Sequence, residues 1–266
     1  MKNIDEGEFT MNIFKQLILS LYSPKSISTW RTQGIGKTIF YVFLLTFIAI
    51  LPTGIHLSMA ITSGVQATQE TVEGELPNFM IKNGELTADD NAPKTIDKGT
   101  FTLLFDPSGQ TGVNDLDTSM TSLALLKNDF AITSGGTIQH FSYSMLELEI
   151  TKEEAVKLLD SMDSFLTVIL PILFIVIYLF SSAMKFIGIS ILALIGTMVH
   201  KSGTESLKYR HLWRIAAYSI TLPTFFFMIM DIFQTAVPFG FVLNWFVSIL
   251  VLILAIKEIP QAKDIQ

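Results

Sequence analysis

Lys185 and Asp231 are the two ionisable residues set nearest the middle of long apolar runs. Lys185 lies in FSSAMKFIGIS, 180–190, within an apolar stretch from Phe165 to Val199, and Asp231 closes the stretch that begins at Ile215. A charge in such surroundings can hold a counter-charge, relay a proton or line a solute path, which makes each a candidate functional residue. A second set, Lys208, Arg210, Arg214, Tyr218 and Pro223, lies in KYRHLWRIAAYSITLP, 208–223, where basic residues give way to an apolar helix. Such a cluster attracts anionic lipid or an acidic partner.

Other patterns point away from catalysis. His56, His140, His200 and His211 are scattered without metal-ligand spacing, and the acidic residues Asp89, Asp90, Asp97, Asp106, Asp115 and Asp117 do not fit a calcium loop. GIGK at 34–37 lacks the long glycine cradle of a phosphate loop, and no nucleophile elbow or zinc-protease signature occurs. With no cysteine in the chain, thiolate chemistry, disulfides and iron–sulfur clusters are excluded. The expectation is a non-enzyme with no cofactor, no metal site and no nucleic-acid partner.

The elements that must position these residues are membrane helices. Of the 266 residues half are hydrophobic and only 16% are charged, a balance foreign to a soluble domain. Uncharged windows of about bilayer length occur at Thr38–His56, Ser164–Met184, Ile215–Met230 and Thr235–Ile256. The fold class expected is an integral membrane protein, mainly α, with about four transmembrane helices and a β-rich (α+β) extracytoplasmic domain inserted between helices 1 and 2.

Charge orients the chain. Residues 61–163 carry seventeen acidic against six basic side chains, a net of −11, whereas Lys2, Lys15, Lys25, Arg31 and Lys37 precede the first span and Lys201, Lys208, Arg210 and Arg214 precede the third. Lys and Arg beside membrane helices mark the cytoplasmic side. The expected layout is a cytoplasmic amphipathic head 1–37, transmembrane helix 1 at 38–60, an outer domain 61–162, helix 2 with its continuation at 163–199, a basic cytoplasmic loop 200–214, helix 3 at 215–234, helix 4 at 238–257 and a cytoplasmic tail 258–266. The protein is thereby expected to be multi-pass in the plasma membrane, with both termini cytoplasmic. One crossing between Asp163 and His200 sets Asp163 at the outer interface and lets Lys185 snorkel to the inner one, leaving 186–199 as a tilted, re-entrant or inner-leaflet helix packed through Gly188, Ser190, Ala193 and Gly196. The competing layout has two crossings parted at Lys185.

Local signals fill in the rest. In the head, Ile13, Phe14, Leu17, Ile18 and Leu21 recur at helical spacing, which suits a helix on the inner leaflet and equally one packed on the bundle ends. PNFMIKNGELTAD predicts a hairpin at Asn83-Gly84, FTLLFDPSG a strand and turn, and DFAITSGGTIQHFSYSM two strands around Gly135-Gly136. Thr151 and Glu154 form a capping box that starts a helix running into the second span, and Pro223 predicts a kink in the third.

SLYSPKSISTWR, LPNFMIKNGELT with FDPSG, and HKSGTESLKYRHLWRIAAYSITLP together resemble the Gram-positive bacterial membrane proteins grouped as domain of unknown function 1189, over nearly the whole chain. One member of that group is labelled a maltodextrin-utilisation protein. More distantly, Gly203, Ser206, Lys208, Tyr218, Ser219 and Pro223 resemble a pattern of the Yip-type membrane superfamily. The resemblance implies no catalytic residues. It leaves two expectations: an accessory, sensor or scaffold coupling an outer domain to a basic cytoplasmic face that docks a membrane or cytoplasmic protein, or a small transporter or transport accessory for sugars such as maltodextrin.

Overall fold

The computed structural model describes residues 12–99, 101–147, 149–199 and 207–259. The expectations for the first residues of the head, for His200, Lys201, Gly203 and Ser206, and for the end of the tail lie outside the described residues. The chain divides into two compact units, Met1–His56 with Leu173–Gln266, and Leu57–Ile172.

The first unit is helical. It comprises α1 (Ile13–Ser20), α2 (Pro24–Thr29), a 3₁₀ turn Trp30–Thr32, the first half of α3 (Ile35–Gly74), the second half of α4 (Lys152–Val199), α5 (Tyr209–Ser219), α6 (Thr221–Ile232) and α7 (Gly240–Lys257). Four helical stretches among the described residues are long and apolar enough to cross a membrane: Ile35–Gly74, Lys152–Val199, Tyr209–Ile232 and Gly240–Lys257. The two short head helices start on side-chain caps. The Asn12 carboxamide oxygen accepts from the Phe14 N–H, and the Ser23 hydroxyl accepts from Ser26 with Pro24 in the first helical position.

The structure revises several expected boundaries. α4 is one unbroken helix to Val199, so 186–199 continues the same helix as Ser164–Met184. Its Ile189, Leu192 and Ala193 are buried with Leu212 and Ile215 of α5 and Leu252 of α7. Of the small residues expected to mediate this packing, Ala193 and Gly196 do so, Ser190 Oγ accepts from Trp213 Nε1 of α5 at 3.2 Å, and Gly188 faces open space. Residues 209–214, expected as the end of a loop, are the first turns of α5, because Tyr209, Leu212, Trp213 and Ala216 share one helical face. The bend in the third span falls at Ile220, not at Pro223 itself: a proline cannot donate to the carbonyl four residues back, so the ladder is interrupted upstream, at Ser219.

The second unit carries two sheets. In the smaller, β1 (Phe79–Lys82) lies between β2 (Glu85–Ala88) and β8 (Ile150–Thr151), both antiparallel to it. The larger has the order β3 (Lys94–Asp97), β4 (Thr102–Asp106), β5 (Ser122–Leu126), β6 (Asp129–Ser134), β7 (Thr137–Ser142), antiparallel except for a parallel β4–β5 pair that aligns Thr102 with Ser122. The predicted hairpin is present, with Asn83 and Gly84 at φ 55° and 80° as a two-residue turn of this kind requires. The capping box holds as well: Glu154 Oε2 accepts from the Thr151 N–H at 2.8 Å, and Thr151 Oγ1 accepts from the Glu154 N–H at 3.3 Å. Phe79, Ile81 and Leu86 of the small sheet share a core with Leu103 and Phe105 of the large one and with Val72 and Leu76 at the end of α3.

Candidate functional site

The first unit brings the candidate residues together in two places. The first is an open cleft of about 750 Å³. Ile50 and Thr53 of α3, Phe180, Met184 and Lys185 of α4, Thr224, Phe227 and Asp231 of α6, and Phe241 and Asn244 of α7 line it. Lys185 lies within α4, fourteen residues before its last residue, Val199. Its Nζ donates to Oγ1 of the buried Thr224 at 3.0 Å, well inside the third span. Asp231 follows Thr224 by seven residues, two helical turns or about 10 Å along the same face. Its Oδ2 accepts from Thr53 Oγ1 at 2.6 Å. One cleft therefore holds a cation at depth and an anion near its end.

Close packing shapes the surrounding walls. A Cβ on Gly54 would come within 2.5 Å of the Phe174 ring, and one on Gly240 within 3.0 Å of the Phe227 ring. Phe43 and Phe47 of α3 meet Phe174, Tyr178 and Phe186 of α4 edge to face or tilted, and the Tyr178 hydroxyl donates to the Phe43 carbonyl.

The second place is the junction of the head with α5. Gln16 Nε2 donates to Gln33 Oε1 at 2.6 Å, Gln33 Nε2 donates to the Tyr218 hydroxyl at 2.6 Å, and that hydroxyl donates to Gln16 Oε1 at 3.3 Å, closing a three-membered ring. The Tyr218 ring lies between Trp30, at 4.7 Å, and Tyr41, at 4.4 Å. Tyr41 in turn bonds Thr221 Oγ1, which donates to the Tyr218 carbonyl near the α5–α6 break. Arg214 Nη1 donates to the Arg31 carbonyl at 3.0 Å. Of the sequence candidates, Arg214 and Tyr218 belong to this junction, Lys208 and Arg210 are exposed at the start of α5, and Pro223 is buried in the first turn of α6.

Gln16, Gln33, Tyr41 and Thr221 escaped the sequence reading. The apolar stripe of the head does not mark its buried side, which is Gln16, Leu17 and Ser20, while Phe14, Ile18 and Tyr22 stand 58%, 58% and 68% exposed. The head thus packs on the bundle and turns an apolar ridge outward. A pair of polar residues four apart, flanked by apolar ones at the same spacing, was the available signal.

Five aspartates of the second unit serve its turns. Asp106 is buried and accepts from the Ser108 N–H and hydroxyl and from the N–H groups of Gly109 and Thr111. Burial pushes its carboxyl up, but the hydrogen bonds from Ser108 and Thr111 outweigh this and hold it below the usual carboxylate range. Asp90, Asp97, Asp115 and Asp117 each accept from a backbone N–H two or three residues away.

The family model described as "Protein of unknown function (DUF1189)" matches residues 14–256, which takes in the head, both parts of the cleft and the second unit. The chain belongs to this family. No curated protein and no solved structure matches it. Membership in DUF1189 thus joins an unassigned role to a mostly helical chain with four apolar helices fit to contact a bilayer.

Proposed function

We propose that this DUF1189 protein is a non-enzymatic, multi-pass plasma-membrane protein, an accessory, sensor or scaffold in which an outer domain formed by the second unit is coupled to a basic cytoplasmic face. The observation that carries this reading is the junction of Arg31 with Arg214. Two basic segments far apart in sequence meet at one end of one bundle, as they must if both obey the preference of Lys and Arg for the inner side. The acidic second unit, inserted between them, then belongs outside. An anionic inner leaflet attracts each basic residue near its surface by about 1 kcal/mol, and the exposed Phe14, Ile18 and Tyr22 supply apolar insertion beside it.

Labelling of single cysteines at Lys25, Ser134 and Lys208 with an impermeant reagent tests the orientation, since the chain has no native cysteine. Only position 134 should react from outside; reaction at 208 would overturn the layout. For the role, photocrosslinking residues at Arg210 and Phe141 in intact cells should trap a defined partner from at least one position. A second reading, a transporter or transport accessory for sugars such as maltodextrin, draws on the cleft that holds Lys185 and Asp231. Maltodextrin uptake by proteoliposomes containing only this chain, lost in Lys185→Ala, would replace the scaffold reading with that one.

A further inference from the structure

Lys185 is a cation without a counter-charge. Its Nζ donates to Thr224 Oγ1 at 3.0 Å, and no carboxylate among the described residues stands within ion-pair distance of it. Asp231 lines the same cleft, but its Oδ2 accepts from Thr53 Oγ1 at 2.6 Å and no ion pair joins it to Lys185. An ammonium has three hydrogens to give, so two have no acceptor among the described residues. A charge in an apolar span is costly unless compensated, and a lysine kept there marks a place where a bound group can supply the compensation.

The neighbours of the ammonium can donate as well. Thr224 is buried, and its hydroxyl, having accepted from Lys185, keeps its own hydrogen for an acceptor. The Asn244 side chain lines the same cleft and makes no hydrogen bond among the described residues. An ammonium backed by a hydroxyl donor suits an oxygen that carries negative charge, since hydrogen bonds between ionised partners are roughly twice as strong as neutral ones. A neutral sugar would offer hydroxyl oxygens but leave the charge uncompensated. The walls narrow the choice further. Ile50, Met184, Phe227, Met228 and Phe241 line the cleft, so a small hydrated anion would lose water there with little to offset it. An anion with an apolar body gains by burying that body against them. At about 750 Å³ the cleft has the size of a small-molecule site.

We propose that this cleft binds an amphiphilic oxyanion, a carboxylate or phosphate joined to an apolar body, with its anionic oxygens on Lys185 Nζ and the Thr224 hydroxyl. A free organic acid and the headgroup of an anionic lipid both offer this chemistry. The site rests on neither the scaffold nor the transport reading, and because its test measures binding alone, its failure would leave both untouched.

The test places the full chain in phosphatidylcholine nanodiscs and titrates it calorimetrically with hexanoate, hexanamide and acetate, the heat of empty nanodiscs being subtracted. Hexanoate should bind about tenfold more tightly than hexanamide, its neutral counterpart, and more tightly than acetate, which lacks the apolar body. A second arm adds phosphatidylglycerol to the nanodiscs and reads retained lipid by native mass spectrometry. Retention of phosphatidylglycerol over phosphatidylcholine assigns the site to a lipid headgroup, and hexanoate binding without such retention assigns it to a free acid. Lys185→Met should weaken the preferred anion about tenfold, Lys185→Arg should keep most of its binding, and Asp231→Asn should tighten it by removing a like charge from the cleft. Equal binding of hexanoate and hexanamide, together with equal retention of the two lipids, overturns the proposal on the unaltered chain alone. So does an anion preference that survives Lys185→Met, or one that Asp231→Asn abolishes.

Discussion

Arg214 donates from Nη1 to the carbonyl oxygen of Arg31 across 183 residues of sequence, and about one helical turn further along α5 the Tyr218 hydroxyl closes a hydrogen-bond ring with Gln16 and Gln33. These bonds tie the head of the chain to the third span and give the bundle a polar keystone at one end.

Tyr218→Phe tests that keystone. The substitution keeps the ring between Trp30 and Tyr41 but leaves two glutamine groups short of a partner in a buried place, at a cost of about 1–3 kcal/mol. Thermal melting of the purified chain should show a clear loss, and adding Gln16→Leu and Gln33→Leu should return part of it. A melting curve equal to that of the unaltered chain would mean that the ring contributes nothing.

Gly54→Ala probes the helix contact beside the cleft. Its new methyl would fall 2.5 Å from the Phe174 ring, so α3 and α4 must part locally or the ring must turn, and overpacking of this kind costs about 1–3 kcal/mol. Melting should fall in Gly54→Ala and recover in the double variant with Phe174→Leu, which removes the atoms in the way.

The second unit should be acid-sensitive through Asp106. Its carboxyl titrates below the unfolded value of about 3.9, so the stabilisation it gives is fully present above that pH and is lost as pH falls through the lower, folded value. Limited proteolysis of residues 79–151 should accelerate below about pH 4 in the unaltered chain. Asp106→Asn should raise cleavage at neutral pH and flatten its acid dependence, because the amide cannot accept from all four donors.

At Gly84 the backbone has φ 80°, and a Cβ would also meet that of Ser144 at 3.0 Å. Gly84→Ala should therefore destabilise the hairpin by about 1–2 kcal/mol, visible in the same proteolysis assay, whereas Gly99→Ala, with similar φ but open space around it, should cost less.

Sequence reasoning reached the features whose causes are local. Asn83-Gly84 makes its turn from its own backbone preferences, Thr151 and Glu154 cap a helix within one turn, and the four apolar stretches announce themselves by length. The parallel pairing of β4 with β5 was not legible, since the segment Pro107–Thr121 that joins them carries no crossover helix and only a 3₁₀ turn at Val113–Asp115. Lys185 was visible as an odd charge, but its partner Thr224 was not, because the choice among polar residues on a facing helix is made by packing. For the same reason the inward face of the head, Gln16 with Leu17 and Ser20, was not legible.

The placement of β8 sets a timetable for biosynthesis. β1 can fold at once onto β2 through its two-residue turn, but its other edge pairs with Ile150 and Thr151, which leave the ribosome about 70 residues later. At roughly 5–20 residues per second that edge stands open for about 4–14 s, with the backbone of Met80 and Ile81 unclaimed. Throughout that interval an unpaired strand edge is open to proteases and to stray strands, and the two residues just ahead of α4 end the exposure by supplying the last strand.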